Sequence, residues 1–279
     1  MSLDPFENNI AEPHKMLTLP NLGNSCYINS VMQIFLNSTT LFNTLKCTFD
    51  NFSLEMIRDL YCKTNNISTF EQCDALLFLS FILDKIEVRL KDKSIDCSNL
   101  WRQKWCSRYK CKNCKKCVDV TQIENFWFIY PVDNSTENLL EMDQCILNNV
   151  RTTVTKNCEN CSPKQSVDFS RTQQLSNAPT NLFINLQYFQ AAKINIYTSL
   201  SLSIGNNYEA DYDLKGVIVH SGTETFGHYK VYICIDDEWW LFNDTIVTKV
   251  YQDIENILRN KYITTPLLWY ERNFDSGLT

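Results

Sequence analysis

The chain is short of histidine, with three in 279 residues, and of glycine and proline, with six and seven. So few histidines leave little choice for a base that works near neutral pH. No internal repeat, low-complexity tract or linker-like stretch interrupts it, which argues against a repeat array or loosely joined domains. No apolar run approaches the ~20 residues that span a bilayer; the longest, Ala75 to Leu83, suits a buried helix. Positive charge is not in excess either. The net charge of -6 argues against a nucleic-acid partner and mildly favours a basic one. The first twenty residues carry Asp4, Glu7 and Glu12 and do not resemble a secretory signal. The expectation is a protein of cytosol or nucleus with no membrane partner.

What is present is an ordinary globular composition, 44% apolar and 21% charged, long enough for one large domain. Thirteen cysteines in a reducing compartment read as thiols or metal ligands rather than disulfides.

The first third reads helical. After the turn Gly23-Asn24-Ser25, apolar Ile28, Val31, Met32 and Phe35 recur at helical spacing, and Leu54, Ile57, Leu60 and Tyr61 mark a second, shorter helix. Ser68 with Glu71 three residues on reads as a capping box opening a third, to about Leu90. The middle mixes short strands with paired cysteines and one helix around 135–149. The last hundred residues read as strands: Leu182–Phe189, Leu214–His220, Val231–Ile235, Trp239–Phe242 and Leu267–Tyr270. Helices first and sheet later indicate an α+β fold.

Cys26 stands at the expected start of the Tyr27–Leu36 helix, where partial positive charge and free amides stabilise a thiolate. A small buried thiol is the plain alternative. Of the histidines, His14 lies in the polar leader and His220 ends a strand. His228 opens the strand Tyr229–Ile235, which turns at Asp236–Glu238 and returns along Trp239–Phe242 to Asn243 and Asp244. Such a hairpin brings Asn243 near His228, giving the orienting group that a Cys–His pair needs. Papain-like proteases share this order of Cys, His and Asn, and the longer separation here implies an insertion.

The insertion carries Cys111-x-x-Cys114 and Cys158-x-x-Cys161. Two such knuckles supply the four thiolates of a structural zinc site, with no open position for catalysis. Cys106 and Cys117 are nearby spares, and Cys117 is able to replace one of the four.

With these pieces in place, the chain closely resembles the ubiquitin-specific proteases, papain-like deubiquitinases. Leu22-Gly-Asn-Ser-Cys26-Tyr-Ile-Asn-Ser-Val-Met-Gln33 is similar to that family's cysteine box. Gly227-His228-Tyr229 with Trp239-x-x-Phe242-Asn243-Asp244 is similar to its histidine box. Gln72-Cys-Asp74-Ala75, Pro179-x-x-Leu182 to Phe189 and Leu267–Glu271 match further blocks, so the likeness runs from about Leu19 to Arg272. It implies a papain-like α+β fold with a helical thumb, a sheet palm and zinc-bearing β fingers over roughly 105–175. The catalytic domain would cover 19–272, with a leader (1–18) and a tail (273–279). By the resemblance, Cys26 is the nucleophile, His228 the base and Asn243 its orienter. Asn21, otherwise a turn residue after Pro20, matches the oxyanion donor. Asp244 would add charge beside His228 or hold a water in the oxyanion site. Asp74 would bind the arginine-bearing tail of ubiquitin, the implied partner, and Leu77 replaces the family's usual glutamate. That departure keeps open the same chemistry on a ubiquitin-like modifier. A catalytically dead ubiquitin-binding module and a zinc-ribbon interaction domain are the other readings.

Overall fold

Apolar residues three and four apart leave one helix face that must be covered, and in this chain four such helices cover one another before any sheet begins. The computed structural model describes residues 16–49, 53–130, 139–161, 165–187, 193–195, 199–204, 208–223, 226–258 and 264–274. The helices are α1 (Cys26–Asn37), α2 (Thr39–Thr48), α3 (Leu54–Asn65) and α4 (Ala75–Asp92). Ser38 and Ser53 cap α2 and α3 by accepting from the Leu41 and Met56 amides. The α4 start differs from the expectation at Ser68. Ser68 instead closes a turn, its carbonyl accepting from Glu71 N–H at 3.1 Å and its Oγ from Phe70 N–H at 3.2 Å. The helix opens after Asp74, whose carboxylate takes the free amides of Leu76 and Leu77. The sequence reading had no helix at α2.

The fingers comprise β1 (Gln103–Cys111), β2 (Cys117–Glu124), β3 (Trp127–Ile129), β4 (Leu139–Glu141), α5 (Met142–Val150), β5 (Arg151–Cys158) and β6 (Gln165–Leu175). The helix expected around 135–149 is the shorter α5; 131–138 lie outside the described residues. The palm follows with β7 (Asn181–Leu186), β8 (Lys193–Asn195), β9 (Ser199–Ile204), β10 (Tyr208–Gly222), β11 (Gly227–Ile235), β12 (Glu238–Asn243), β13 (Ile246–Lys249), α6 (Ile254–Leu258) and β14 (Thr264–Asn273). Among the described residues one 12-stranded sheet runs β13-β12-β11-β10-β9-β6-β1-β2, with β14, β7, β3 and β5 branching from it. The strand expected at Leu182–Phe189 is β7; positions 188–189 lie outside the described residues.

Strand alternation builds a core on each face of the palm. Ile218, Leu267 and Trp269 join the helical core with Ile28, Phe35 and Leu79. Their neighbours Val217, Val219, Leu268 and Tyr270 join the opposite core with Trp105 and Tyr212. Burying α1 against β11 sets the helix that begins at Cys26 beside the strand that carries His228. This is the helical thumb, sheet palm and cysteine-tipped fingers that the sequence leads one to expect.

Candidate active site

The turn before Cys26 is held by the amide of Asn21. Asn21 Oδ1 accepts from the N–H groups of Gly23 and Ser25 at 3.1 and 3.2 Å, closing the turn that leads into α1. Gly23 and Asn24 both have positive φ, +91° and +50°. Glycine is required at 23, because a Cβ there would meet the Phe70 ring at 2.8 Å. Ser25 makes no side-chain cap to α1; its Oγ accepts from Leu22 N–H instead. The first amides of the helix therefore remain available to Cys26, and the Tyr27 amide favours its thiolate. Burial, with Cys26 only 2% exposed, pushes its thiol up; the Tyr229 N–H and the Gln72 amide oppose this, while the Asp244 carboxylate adds to it.

β11 and β12 pair Val231 with Phe242 and Ile235 with Glu238, a register that carries Asn243 back toward His228. His228 Nε2 and Asn243 Oδ1 are 2.6 Å apart. A carbonyl oxygen only accepts, so Nε2 is the donor of this pair. Among the described residues the imidazole makes no hydrogen bond to the Cys26 thiol. Of the other two histidines, His220 packs on Tyr229 with ring centroids 4.5 Å apart and is lowered in pKa by burial, while His14 lies outside the described residues. A Cβ on Gly227 would collide with the His220 ring.

Asp244 does something the sequence did not suggest. Its Oδ2 accepts from Asn21 Nδ2 at 2.9 Å and its Oδ1 from Asn29 Nδ2 at 2.7 Å. The adjacent residues thus diverge: Asn243 serves the imidazole and Asp244 serves the amide of Asn21. Asp74 caps α4 with Oδ1, at 2.7 Å from Leu76 N and 3.2 Å from Leu77 N. Leu77 is 63% exposed in the first turn of that helix.

Sequence reasoning assigned no role to Gln72, yet its amide touches both halves of the site. Nε2 donates to the Gly227 carbonyl at 2.6 Å and lies 3.4 Å from Cys26 Sγ, and Oε1 accepts from Gly227 N–H at 3.1 Å. Nothing local marks this glutamine, because both partners are distant in the chain.

In the fingers, Cys111, Cys114, Cys158 and Cys161 place their sulfurs within 4.8 Å of one another, close enough to hold one metal ion. The spare thiols stand apart, Cys117 exposed near the Lys115 carbonyl and Cys106 on β1. An open cleft of about 700 Å³ lies at the base of the fingers, between Trp105, Trp127, Ile146, Ser201 and Ser203.

Comparison with known proteins bears on this arrangement. The family model described as ubiquitin carboxyl-terminal hydrolase matches residues 53–265. Ubiquitin carboxyl-terminal hydrolase 11 of Schizosaccharomyces pombe is 36% identical over 103 residues, covering 33% of this chain and 29% of that protein. Ubl carboxyl-terminal hydrolase 18 of Homo sapiens is 26% identical over 305 aligned positions, covering 87% of this chain and 80% of that protein. This chain spans 29% of the length of the S. pombe protein and of a zebrafish ubiquitin carboxyl-terminal hydrolase 48. The SAGA Ubp8/Sgf11/Sus1/Sgf73 DUB module, solved bound to ubiquitin aldehyde, contains a chain of the same fold. Its TM-score is 0.72 at 17% identity, over 92% of this chain and 69% of that one.

Proposed function

Because this chain belongs to the ubiquitin carboxyl-terminal hydrolase family, we propose that it cleaves the isopeptide or peptide bond at ubiquitin's C-terminal glycine through a thioester on Cys26. The observation that carries this is the His228–Asn243 pair at 2.6 Å, on the strand packed against the uncapped helix N-terminus that bears Cys26. His228 Nδ1, left with its lone pair, takes the thiol proton. The sulfur attacks the glycine carbonyl carbon, and the oxyanion is met by the Asn21 amide and the Cys26 N–H. Collapse expels the amine, which takes the proton from the imidazolium. Water then attacks the thioester with His228 again as base, freeing the ubiquitin carboxylate and restoring the thiol. Cys26 is buried and has no bond to His228, so substrate must bring the two into line, as catalytic contacts commonly tighten on binding.

The finger thiols fit zinc. Zinc–sulfur bonds of about 2.3 Å give sulfur–sulfur edges of about 3.8 Å in a tetrahedron. Cys111–Cys161 and Cys114–Cys158 stand at 3.8 and 3.7 Å. Four protein sulfurs make the ion structural, holding the two finger knuckles together.

A second reading is the same hydrolysis on a ubiquitin-like modifier. Exposed Leu77 beside Asp74 supports it, as does the likeness to the human Ubl hydrolase over most of both chains. The second oxygen of Asp74, not engaged in the cap, is the group we assign to a basic residue of the modifier tail. Incubation with ubiquitin carrying a C-terminal electrophile, and with a ubiquitin-like modifier so armed, tests both readings. An adduct on Cys26 with ubiquitin is expected; adduct formation with the other modifier alone selects the second reading, and none with either refutes both.

A further inference from the structure

Among the described residues Cys26 and His228 share a site with no hydrogen bond between them, so their relative placement depends on what bridges them. β12 covers the β11 edge only as far as Val231, which pairs with Phe242. Alternate residues of a strand turn their N–H and C=O to the same side. Gly227, Tyr229 and Val231 therefore share the edge away from β10, and below Val231 no strand among the described residues covers it. The Tyr229 amide on that edge favours the Cys26 thiolate. Gln72 takes both groups of Gly227, donating to its carbonyl at 2.6 Å and accepting from its N–H at 3.1 Å. One side-chain amide thus stands where the next strand would, immediately beside His228. The same Nε2 lies 3.4 Å from Cys26 Sγ. The segment carrying it is tied to the nucleophile turn as well, through Asn24 Nδ2 donating to the Phe70 carbonyl at 2.7 Å and the Phe70 ring against Gly23.

We propose that Gln72 is a positioning residue for the Cys26–His228 chemistry: it fixes the start of β11 beside the base and donates to the nucleophile's sulfur. This rests on the hydrolase reading for its consequence in turnover, but its effect on the thiol is independent of any substrate. A hydrogen bond to a charged group is worth enough that losing it should cut thiolate reactivity about tenfold.

Gln72→Met preserves volume and removes both donors and the acceptor; Gln72→Glu keeps the acceptor and places a carboxylate near the sulfur. Each variant, checked for a cooperative melt, is alkylated with iodoacetamide at pH 8. Cys26 is followed by mass spectrometry in the tryptic peptide Met16–Lys46, where it is the sole cysteine. The expected result is a fall of about tenfold for Gln72→Met and a larger one for Gln72→Glu. On a fluorogenic ubiquitin C-terminal amide, kcat should fall at least as far with KM within about threefold of wild type. A residue that only supports the fold would lower the melting temperature and leave the Cys26 rate unchanged or raised by exposure. Alkylation within twofold of wild type in either variant that folds overturns the proposal. Altered alkylation in a protein that cleaves neither ubiquitin nor ubiquitin-like modifier substrates would refute the hydrolase reading and leave the Gln72 assignment standing.

Discussion

Asp244 supplies the sharpest test of how the site is divided. Its carboxylate binds Asn21 Nδ2 at 2.9 Å and Asn29 Nδ2 at 2.7 Å, while the imidazole is held by Asn243. If Asn21 is the oxyanion donor, Asn21→Ala should cost about 10²–10³ in kcat. Asp244→Ala leaves Asn21 held only through its Oδ1 bonds to the turn, so its amide samples orientations that miss the oxyanion. A loss of about 10- to 100-fold follows, or about 1.4–2.8 kcal/mol. Independent residues would multiply in the double variant. Because Asp244 acts through Asn21, the double variant should instead lie within about threefold of Asn21→Ala.

The thiol gives a second, oppositely signed readout. The Asp244 carboxylate raises the Cys26 pKa, so deleting it should make the thiol more reactive toward iodoacetamide while turnover falls. Steady-state hydrolysis of a fluorogenic ubiquitin amide gives the cycle, with circular dichroism to verify folding, since buried Asn29 loses its shortest hydrogen bond. An Asp244→Ala loss of equal size with and without Asn21 would show that the carboxylate acts elsewhere, on the imidazolium for instance.

Asn243→Ala should lower kcat on the order of 10²-fold or more, above the Asp244→Ala loss, because the imidazole tautomer is no longer fixed; a smaller loss than Asp244→Ala would exchange the two roles. Freshly purified protein should contain about one zinc per chain, and Cys158→Ser should lower both zinc content and the yield of folded protein. Metal analysis without zinc in folded protein would refute this. Burial raises the Glu271 carboxyl pKa, and among the described residues only Ser38 Oγ hydrogen-bonds to its side chain, at 3.3 Å. A raised folded-state pKa contributes stability in acid that is lost as pH climbs through that pKa. Glu271→Gln should therefore gain melting temperature relative to wild type between pH 4 and pH 7, and a constant difference across that range would refute the assignment.

Much of the site was legible in the sequence because its determinants are local. The turn Gly23–Ser25 followed by Ile28, Val31, Met32 and Phe35 specifies α1 within two residues, and two C-x-x-C knuckles specify a metal-holding group at any separation. The acidic turn at Asp236–Glu238 made the hairpin legible, while its register, and with it the approach of Asn243 to His228, came from the structure. Where local cues competed, the structure chose. Ser68 with Glu71 reads as a helix cap, but Asp74 lies nearer the apolar face and takes the free amides. α2 was missed although Ser38 caps it, because its threonines mute the helical pattern. Only the tertiary fold gave Gln72 and Asp244 their parts. Each acts on a backbone or side-chain group more than 150 residues away in the chain, Gly227 for one and Asn21 for the other. A hydrogen bond depends on what stands within about 3 Å, and which residue stands there is decided by packing α1 against β11.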